Sequence, residues 1–392
     1  MARTNSPVKI PGRLPKTKGY IDYTLIFIIL LLLGFGLIMV YSTSSYTASM
    51  SASTNNNPSY YLNKQAFATV FGLAAMAIVA LFPYHMWERF AGIAYGVSAV
   101  LILLVLTPLG MKINGVRRWL NLGISVQPAE IAKLAMILFL ATLVCRLGGK
   151  IRTRNGFLLV LLSPAPICLM VWLITENLSS AIIIFMIGFI MLFVASPEYR
   201  RFALITLAIL ALAALVVFAV SHMSASGVFG FRGQRIRTWL DPEAYASSSG
   251  FQTLQALYAI GSGGVFGKGI GQSTQKLGFV PEAQNDMIFS IICEELGLFG
   301  GICIIILFLL MLWRMLIIAQ NATDEFGGLL VVGVMGHIAI QVILNVAVVT
   351  NVIPNTGISL PFISYGGSSV MFLLIEVGLV FSVSRSIEFT GD

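Results

Sequence analysis

The 392 residues are 57% hydrophobic and only 10% charged, with a mean hydropathy of +0.90. A soluble globular domain runs near 25% charged, so an ordinary soluble enzyme is excluded and an all-α integral membrane protein is expected. The formal charge of +8 comes without a basic–aromatic module or finger spacing. It therefore reports topology and anionic headgroups, and no nucleic acid is expected.

Residues 1–20 hold Arg3, Lys9, Arg13, Lys16 and Lys18 and no acid. The apolar run that follows is too long for a signal-peptide core, so it reads as a first transmembrane helix behind a basic cytoplasmic tail. A bilayer crossing takes roughly 17–25 apolar residues. On that measure spans are predicted at 22–42, 66–82, 91–110, 128–147, 156–174, 177–195, 202–221, 287–318, 328–350 and 364–384. Thr175, Glu176 and Asn177 split a run too long for one helix. The eighth span is also too long, and its Gly297, Gly300 and Gly301 predict an irregular start.

These ten spans place residues 21–386 in one membrane domain, with a tail over 387–392. The short connections 83–90, 148–155, 196–201 and 319–327 carry Arg89, Lys150, Arg152, Arg154, Arg200 and Arg201. By the positive-inside rule this side is cytoplasmic, and both termini share it. The large loop 222–286 is then extracytoplasmic, between helices seven and eight. Within it, 251–260 has the pattern of a short amphipathic helix at the interface.

The outer loops also carry Lys112, Arg117, Arg118, Arg232, Arg235, Arg237, Lys268 and Lys276. Topology does not need them. They suit an anionic ligand such as a pyrophosphate, or pairing with Asp241, Glu243 and Glu282. The stretch GSGGVFGKGIGQS (261–273) is not a Walker loop, because Gly269 follows Lys268. It reads as flexible backbone able to approach a substrate.

The acids Glu282, Asp286, Glu294 and Glu295 border or enter a span, where carboxylates are costly. Asp286 stands at the loop-to-helix boundary. It is either a general base for a sugar hydroxyl or an acid favoured by a helix N-terminus. Glu130 and Lys133, three apart inside the apolar layer, make an ion pair that is structural or functional. Pro354, Pro361, Gly366 and Gly367 predict irregular backbone facing protein or a water-filled cavity. The four cysteines lie in apolar runs without a CxxC. The three histidines form no pair, so no histidine metal site is expected.

Three blocks, GVRRWLNLG…QPAEIAKL, FVPEAQNDMIFSIICEELG and PFISYGGSS, occur in that order. With the span pattern from about 20 to 385, the chain resembles the SEDS family (shape, elongation, division and sporulation). Its division branch is the nearest, with the elongation and sporulation branches sharing the last block. The resemblance implies a peptidoglycan glycosyltransferase that polymerises lipid II on the outer face of the cytoplasmic membrane, at the septum for the division branch. It also implies a class B penicillin-binding protein and other division proteins as partners.

Carried over by motif, Asp286 is the catalytic residue, and Arg118, Glu130 and Lys133 are site residues. Ser364, Tyr365, Gly366 and Gly367 of the last block join the expected substrate site. Arg117, Arg118 and Lys268 are the expected cations for the departing undecaprenyl-pyrophosphate. A divalent cation, Mg or Mn, could assist, although no dedicated cage is visible. The chain departs from the family at TENLSS (175–180), where many members carry QPDLGT, and at Gln284 and Thr356, where a histidine and a lysine are common. The rival readings are a lipid II flippase or transporter, and a non-catalytic scaffold for a penicillin-binding protein.

Overall fold

A computed structural model describes residues 20–387, apart from 114, 122, 124 and 223–229. The two expected tails lie outside the described residues except for Tyr20 and Ile387. Thirteen helices are described: α1 (Tyr23–Met50), α2 (Tyr60–Leu81), α3 (His85–Leu104), α4 (Pro128–Leu147), α5 (Arg154–Leu162), α6 (Ala165–Ile174), α7 (Leu178–Ala195), α8 (Tyr199–His222), α9 (Gly230–Leu240), α10 (Phe251–Gly263), α11 (Ile288–Gln320), α12 (Glu325–Val349) and α13 (Gly367–Ser384). Ten spans are long and apolar enough to cross a membrane; α5 and α6 together make one of them. Pro164 and Pro166 interrupt that span, since proline cannot donate to the helix ladder.

The expected spans are all present, displaced at their ends. α1 runs about two turns past position 42, and within that extension Thr43 and Ser44 satisfy their hydroxyls on the carbonyls of Met39 and Val40. The split at 175–177 is real. Asn177 caps α7 by accepting from the Ser180 N–H at 3.0 Å.

α12 is the central post, buried over 72% of its apolar stretch and packed by α4, α7, α11 and α13. α8 is its opposite, with only Phe202 and Val220 buried, as suits a helix facing lipid. The 111–127 connection is more than a loop. β1 (Gly110–Ile113), β2 (Val116–Asn121) and β3 (Ser125–Val126) form a small antiparallel sheet in the order β1-β2-β3.

The loops gather on two opposite faces. On one, Ser384 Oγ donates to the Tyr20 carbonyl at 3.0 Å, Arg314 pairs with Asp22 at 2.7 Å and Tyr84 bonds Asp324 at 3.0 Å. Both ends of the described chain therefore share the face of the short basic connections. On the other face lie the sheet, α9, α10, the glycine-rich loop and the 350–366 turn.

The long α11 breaks at Gly297, where φ is +72°. A side chain there would strain that conformation, and its Cβ would stand 2.3 Å from the Val265 carbonyl oxygen. The glycine-rich loop fills the break. The N–H groups of Lys268 and Gly269 donate to the carbonyls of Glu294 and Glu295, and those of Leu298 and Phe299 donate to Gly264 and Val265. These bonds satisfy the groups a broken helix orphans. The loop's glycines thus serve backbone-to-backbone contact with α11, a splice that the expectation of a flexible loop did not include. α10 is helical as expected, but it does not lie free at the interface. Ala256, Ala259 and Gly263 are buried against α11, small residues that allow close approach.

Two buried pairs lie in the bundle interior. Glu130 and Lys133 meet at 2.8 Å on α4, with Ser369 donating to Glu130 at 3.2 Å. His337 on α12 meets Glu376 on α13 at 2.7 Å. A lone charge in hydrocarbon is costly, and pairing across helices removes much of that cost.

Candidate active site

Asp286 ends the PEAQND turn one residue before the Met287 cap of α11. Three anchors fix that turn. Asn345, wholly buried on α12, donates to the Asp286 carbonyl at 2.8 Å and to the Ile358 carbonyl at 2.7 Å. The Tyr365 N–H donates to the Gln284 carbonyl at 2.9 Å. Gln65 of α2 then clamps the last block, donating to the Ser364 carbonyl at 3.2 Å and accepting from the Gly366 N–H at 3.1 Å.

The carboxylate itself has few partners. Gln252 Nε2 reaches Asp286 Oδ1 at 3.5 Å, and Gly357 backs against Oδ2. Burial pushes the Asp286 carboxyl up to about 7; the Glu282 charge adds to this, while a backbone hydrogen bond and Arg235 oppose it. A carboxyl near neutrality can exchange a proton at working pH, which general-base chemistry requires.

Two arginines lie on this face, coupled to each other, and one of them, Arg235, acts on the carboxyl. Arg118 donates from Nε to the Thr175 carbonyl at 3.1 Å and from Nη2 to the Glu176 carbonyl at 3.0 Å. Burial lowers the Arg118 pKa, and the charge of Arg235 lowers it further. Arg235 on α9 donates to the Asn355 carbonyl at 3.1 Å. Asn355 Nδ2 in turn bonds Gln252 Oε1 at 3.0 Å. Arg235 thus acts electrostatically on both Arg118 and Asp286. Two guanidiniums held this close suit an anionic group between or beside them.

The remaining expected site residues divide. Arg117 neighbours Arg118 on β2, where successive side chains point to opposite faces. It turns away to the Leu106 carbonyl at 3.4 Å. Lys268 is taken by Glu294 at 2.6 Å, a carboxylate that also accepts from Ser262, Ser273 and Thr274. Lys276 does the same for Glu295 at 2.8 Å, shared with Ser42. These two lysines staple the glycine-rich loop to the broken helix.

Ser364 is buried and accepts from the Leu360 N–H at 2.8 Å, and Tyr365 packs edge-to-face on Tyr61. Gly367 opens α13 against Ala68. In the last block it is therefore the backbone of 364–366 that positions Asp286. Glu130 and Lys133 bond to each other and, through Ser369, to the first turn of α13.

The family model described as "Cell cycle protein", covering FtsW, RodA and SpoVE, matches residues 23–388. The chain belongs to this family. It is 39% identical over 367 residues to the stage V sporulation protein E of Bacillus subtilis, covering 93% of this chain and 97% of that one. It is 35% identical to a probable peptidoglycan glycosyltransferase FtsW of Trichlorobacter lovleyi, covering 94% of each. Among solved structures, a chain from a peptidoglycan synthase complex that coordinates polymerization and crosslinking superposes with a TM-score of 0.76 at 27% identity, covering 93% of this chain and 98% of that one.

Set in this family, the TENLSS departure has a local account. Asn177 supplies the cap, and the left-handed Glu176 (φ +51°) turns its carbonyl to Arg118. The side chains missed in the sequence are Arg235, Gln252, Asn345 and Asn355. Arg235 was legible only as one of several outer-loop bases. The three amides carry no charge signal, and each reaches its partner across at least 34 residues of sequence, apart from the 13 between Asn345 and Ile358.

Proposed function

We propose that this member of the cell cycle protein family is a peptidoglycan glycosyltransferase. It polymerises lipid II on the outer face of the cytoplasmic membrane, with Asp286 as its general base. The observation that carries the reading is the half-buried Asp286 carboxyl at the outer end of α11, touched by Gln252 at 3.5 Å, raised toward neutrality by desolvation and within the field of Arg235.

In the reaction, Asp286 takes the proton of the acceptor's 4-hydroxyl. The acceptor oxygen bonds to the anomeric carbon of the lipid-linked strand. The bond from that carbon to the pyrophosphate oxygen breaks, and undecaprenyl-pyrophosphate departs. Arg118 and Arg235 stabilise the charge that develops on the leaving group, as fixed cations do when aimed at such charge. Lys268 and Arg117 contribute through structure and the long-range field.

Several finer points belong to the same reading. Both termini are cytoplasmic, because the basic connections share their face. The partner is a class B penicillin-binding protein that cross-links the strands, and the site of action is the division septum. A Mg or Mn ion would arrive with the pyrophosphate. Among the described residues no group of three or more His, Cys, Asp or Glu side chains gathers to hold one, so such an ion would be held mainly by the substrate phosphates. Mg is commonly held in that way, through few carboxylates plus substrate phosphates.

A transporter reading draws on the polar side chains at membrane depth, yet Glu130, Lys133, His337 and Glu376 are each engaged in a pair. The deciding experiment is glycan synthesis from labelled lipid II by purified protein and partner in detergent. Chains lengthening with the wild-type protein and not with Asp286→Asn support the enzyme. Equal synthesis by both leaves the flippase or scaffold.

A further inference from the structure

Beside Asp286 lies a cavity of about 170 Å³ between α9, α10 and the 351–355 turn. It contains none of the side chains expected from the motifs. Its wall is made of amides (Gln234, Gln252, Asn351, Asn355), hydroxyls (Thr238, Ser249, Thr253), one indole (Trp239) and one guanidinium (Arg235). Among the described residues no carboxylate and no aliphatic side chain lines it. Neutral donors and acceptors around an indole, with Arg235 at one edge, suit a polyhydroxylated ring that stacks on Trp239 and hydrogen-bonds the amides.

The wall is also rigid. Trp239 Nε1 donates to the Asn351 carbonyl at 3.0 Å, and Asn351 Nδ2 returns to the Trp239 carbonyl at 3.4 Å. Thr238 and Ser249 bond at 2.5 Å, and Asn355 holds Gln252. A preorganised polar wall loses little entropy on binding. The volume is below the ~300–1,000 Å³ of drug-sized sites, which fits a single sugar ring and not a disaccharide.

Gln252 belongs to both places, lining the cavity and touching the Asp286 carboxylate. Arg235 lines the cavity and is also the charge that acts on Arg118 and on Asp286. A general base must come within hydrogen-bond reach of the proton it removes, and Gln252, at 3.5 Å from the Asp286 carboxylate, is the side chain that joins the cavity to the base.

We infer that this cavity is the acceptor-sugar subsite, seating one uncharged hexosamine ring of the incoming lipid-linked substrate, with Gln252 as the residue that registers the ring against Asp286. The inference rests on the glycosyltransferase reading. Gln252 acts as a positioning residue, while Gln234 and Thr253 determine how tightly the ring is held.

The test uses the full chain with its partner. Initial rates are measured against lipid II at a saturating lipid-linked tetrasaccharide donor, and against that donor at saturating lipid II. Gln234→Ala removes an exposed amide and Thr253→Val is isosteric, so both variants should fold. Each is expected to raise the acceptor KM roughly three- to tenfold, the loss of about one neutral hydrogen bond, with donor KM and kcat within twofold. Ser249→Leu, which fills the cavity, should raise it further. Acceptor KM unchanged in both mild variants, or a change in donor KM alone, overturns the assignment.

A second arm does not need catalysis. Lipid II binding to Asp286→Asn protein should weaken by the same factor when Gln234→Ala or Thr253→Val is added, and unchanged affinity also overturns the subsite. Failure of the catalytic reading has a different signature, namely polymer synthesis by Asp286→Asn itself.

Discussion

Replacing Asp286 by asparagine should separate stability from activity in opposite directions. Burial raises the carboxyl from 3.8 to about 7, and each pKa unit corresponds to about 1.4 kcal/mol. The ionised side chain therefore costs the folded state on the order of 4 kcal/mol above pH 7. The sign follows from proton linkage. Between about pH 4 and 7 the unfolded chain has already released this proton while the folded chain retains it, so this group's contribution falls as pH rises.

Asparagine keeps the size and removes the charge. Asp286→Asn should thus melt at the same temperature as wild type near pH 4 and increasingly above it up to pH 8. Over the same range it should lose roughly 10²–10⁴-fold in polymerisation rate, the usual worth of a general base. The wild-type kcat/KM should rise with pH through about 7, since only the ionised carboxyl accepts the proton. Thermal unfolding in detergent across pH, paired with rates from labelled lipid II, measures both. A variant that is less stable than wild type at pH 8, or one that polymerises at a near-normal rate, refutes the argument.

Arg118→Lys should lose about 10–100-fold in rate with the fold intact, because lysine cannot reproduce two carbonyl contacts from one planar group; Arg118→Ala should lose more, and normal polymer length from it removes Arg118 from the site. Lys133→Met leaves Glu130 uncompensated and should cost about 3–5 kcal/mol of stability, whereas Lys133→Met with Glu130→Gln should cost less than either alone in thermal unfolding. Gly297→Ala sets a Cβ 2.3 Å from the Val265 carbonyl oxygen at a left-handed position, so melting temperature and membrane yield should fall together. Cysteines placed at Ser248 and Asn155, in a background without the native four, should label from outside intact cells at 248 only; labelling at 155 alone inverts the topology.

The span count, the split at 175–177, the irregular start of α11 and the pairing of Glu130 with Lys133 were legible in the sequence. Each depends on hydropathy or on spacing along one helix, and the bilayer imposes both without reference to the rest of the chain. Asp286 was visible locally as a carboxyl at a span boundary, while its role as base was implied by the resemblance of its motif block to the family and not by spacing.

The partners of that carboxyl were not legible. Arg117 and Arg118 look equivalent as neighbours, and only the β2 strand, by alternating its side chains, sends one to the Thr175 carbonyl and the other to Leu106. Lys268 and Lys276 look like free outer cations until the break at Gly297 brings Glu294 and Glu295 to them. Arg235, Gln252 and Asn355 converge from α9, α10 and the turn after α12, up to 120 residues apart. Neutral amides and loop arginines acquire a role only when packing brings distant segments together, and that is decided by the tertiary structure alone.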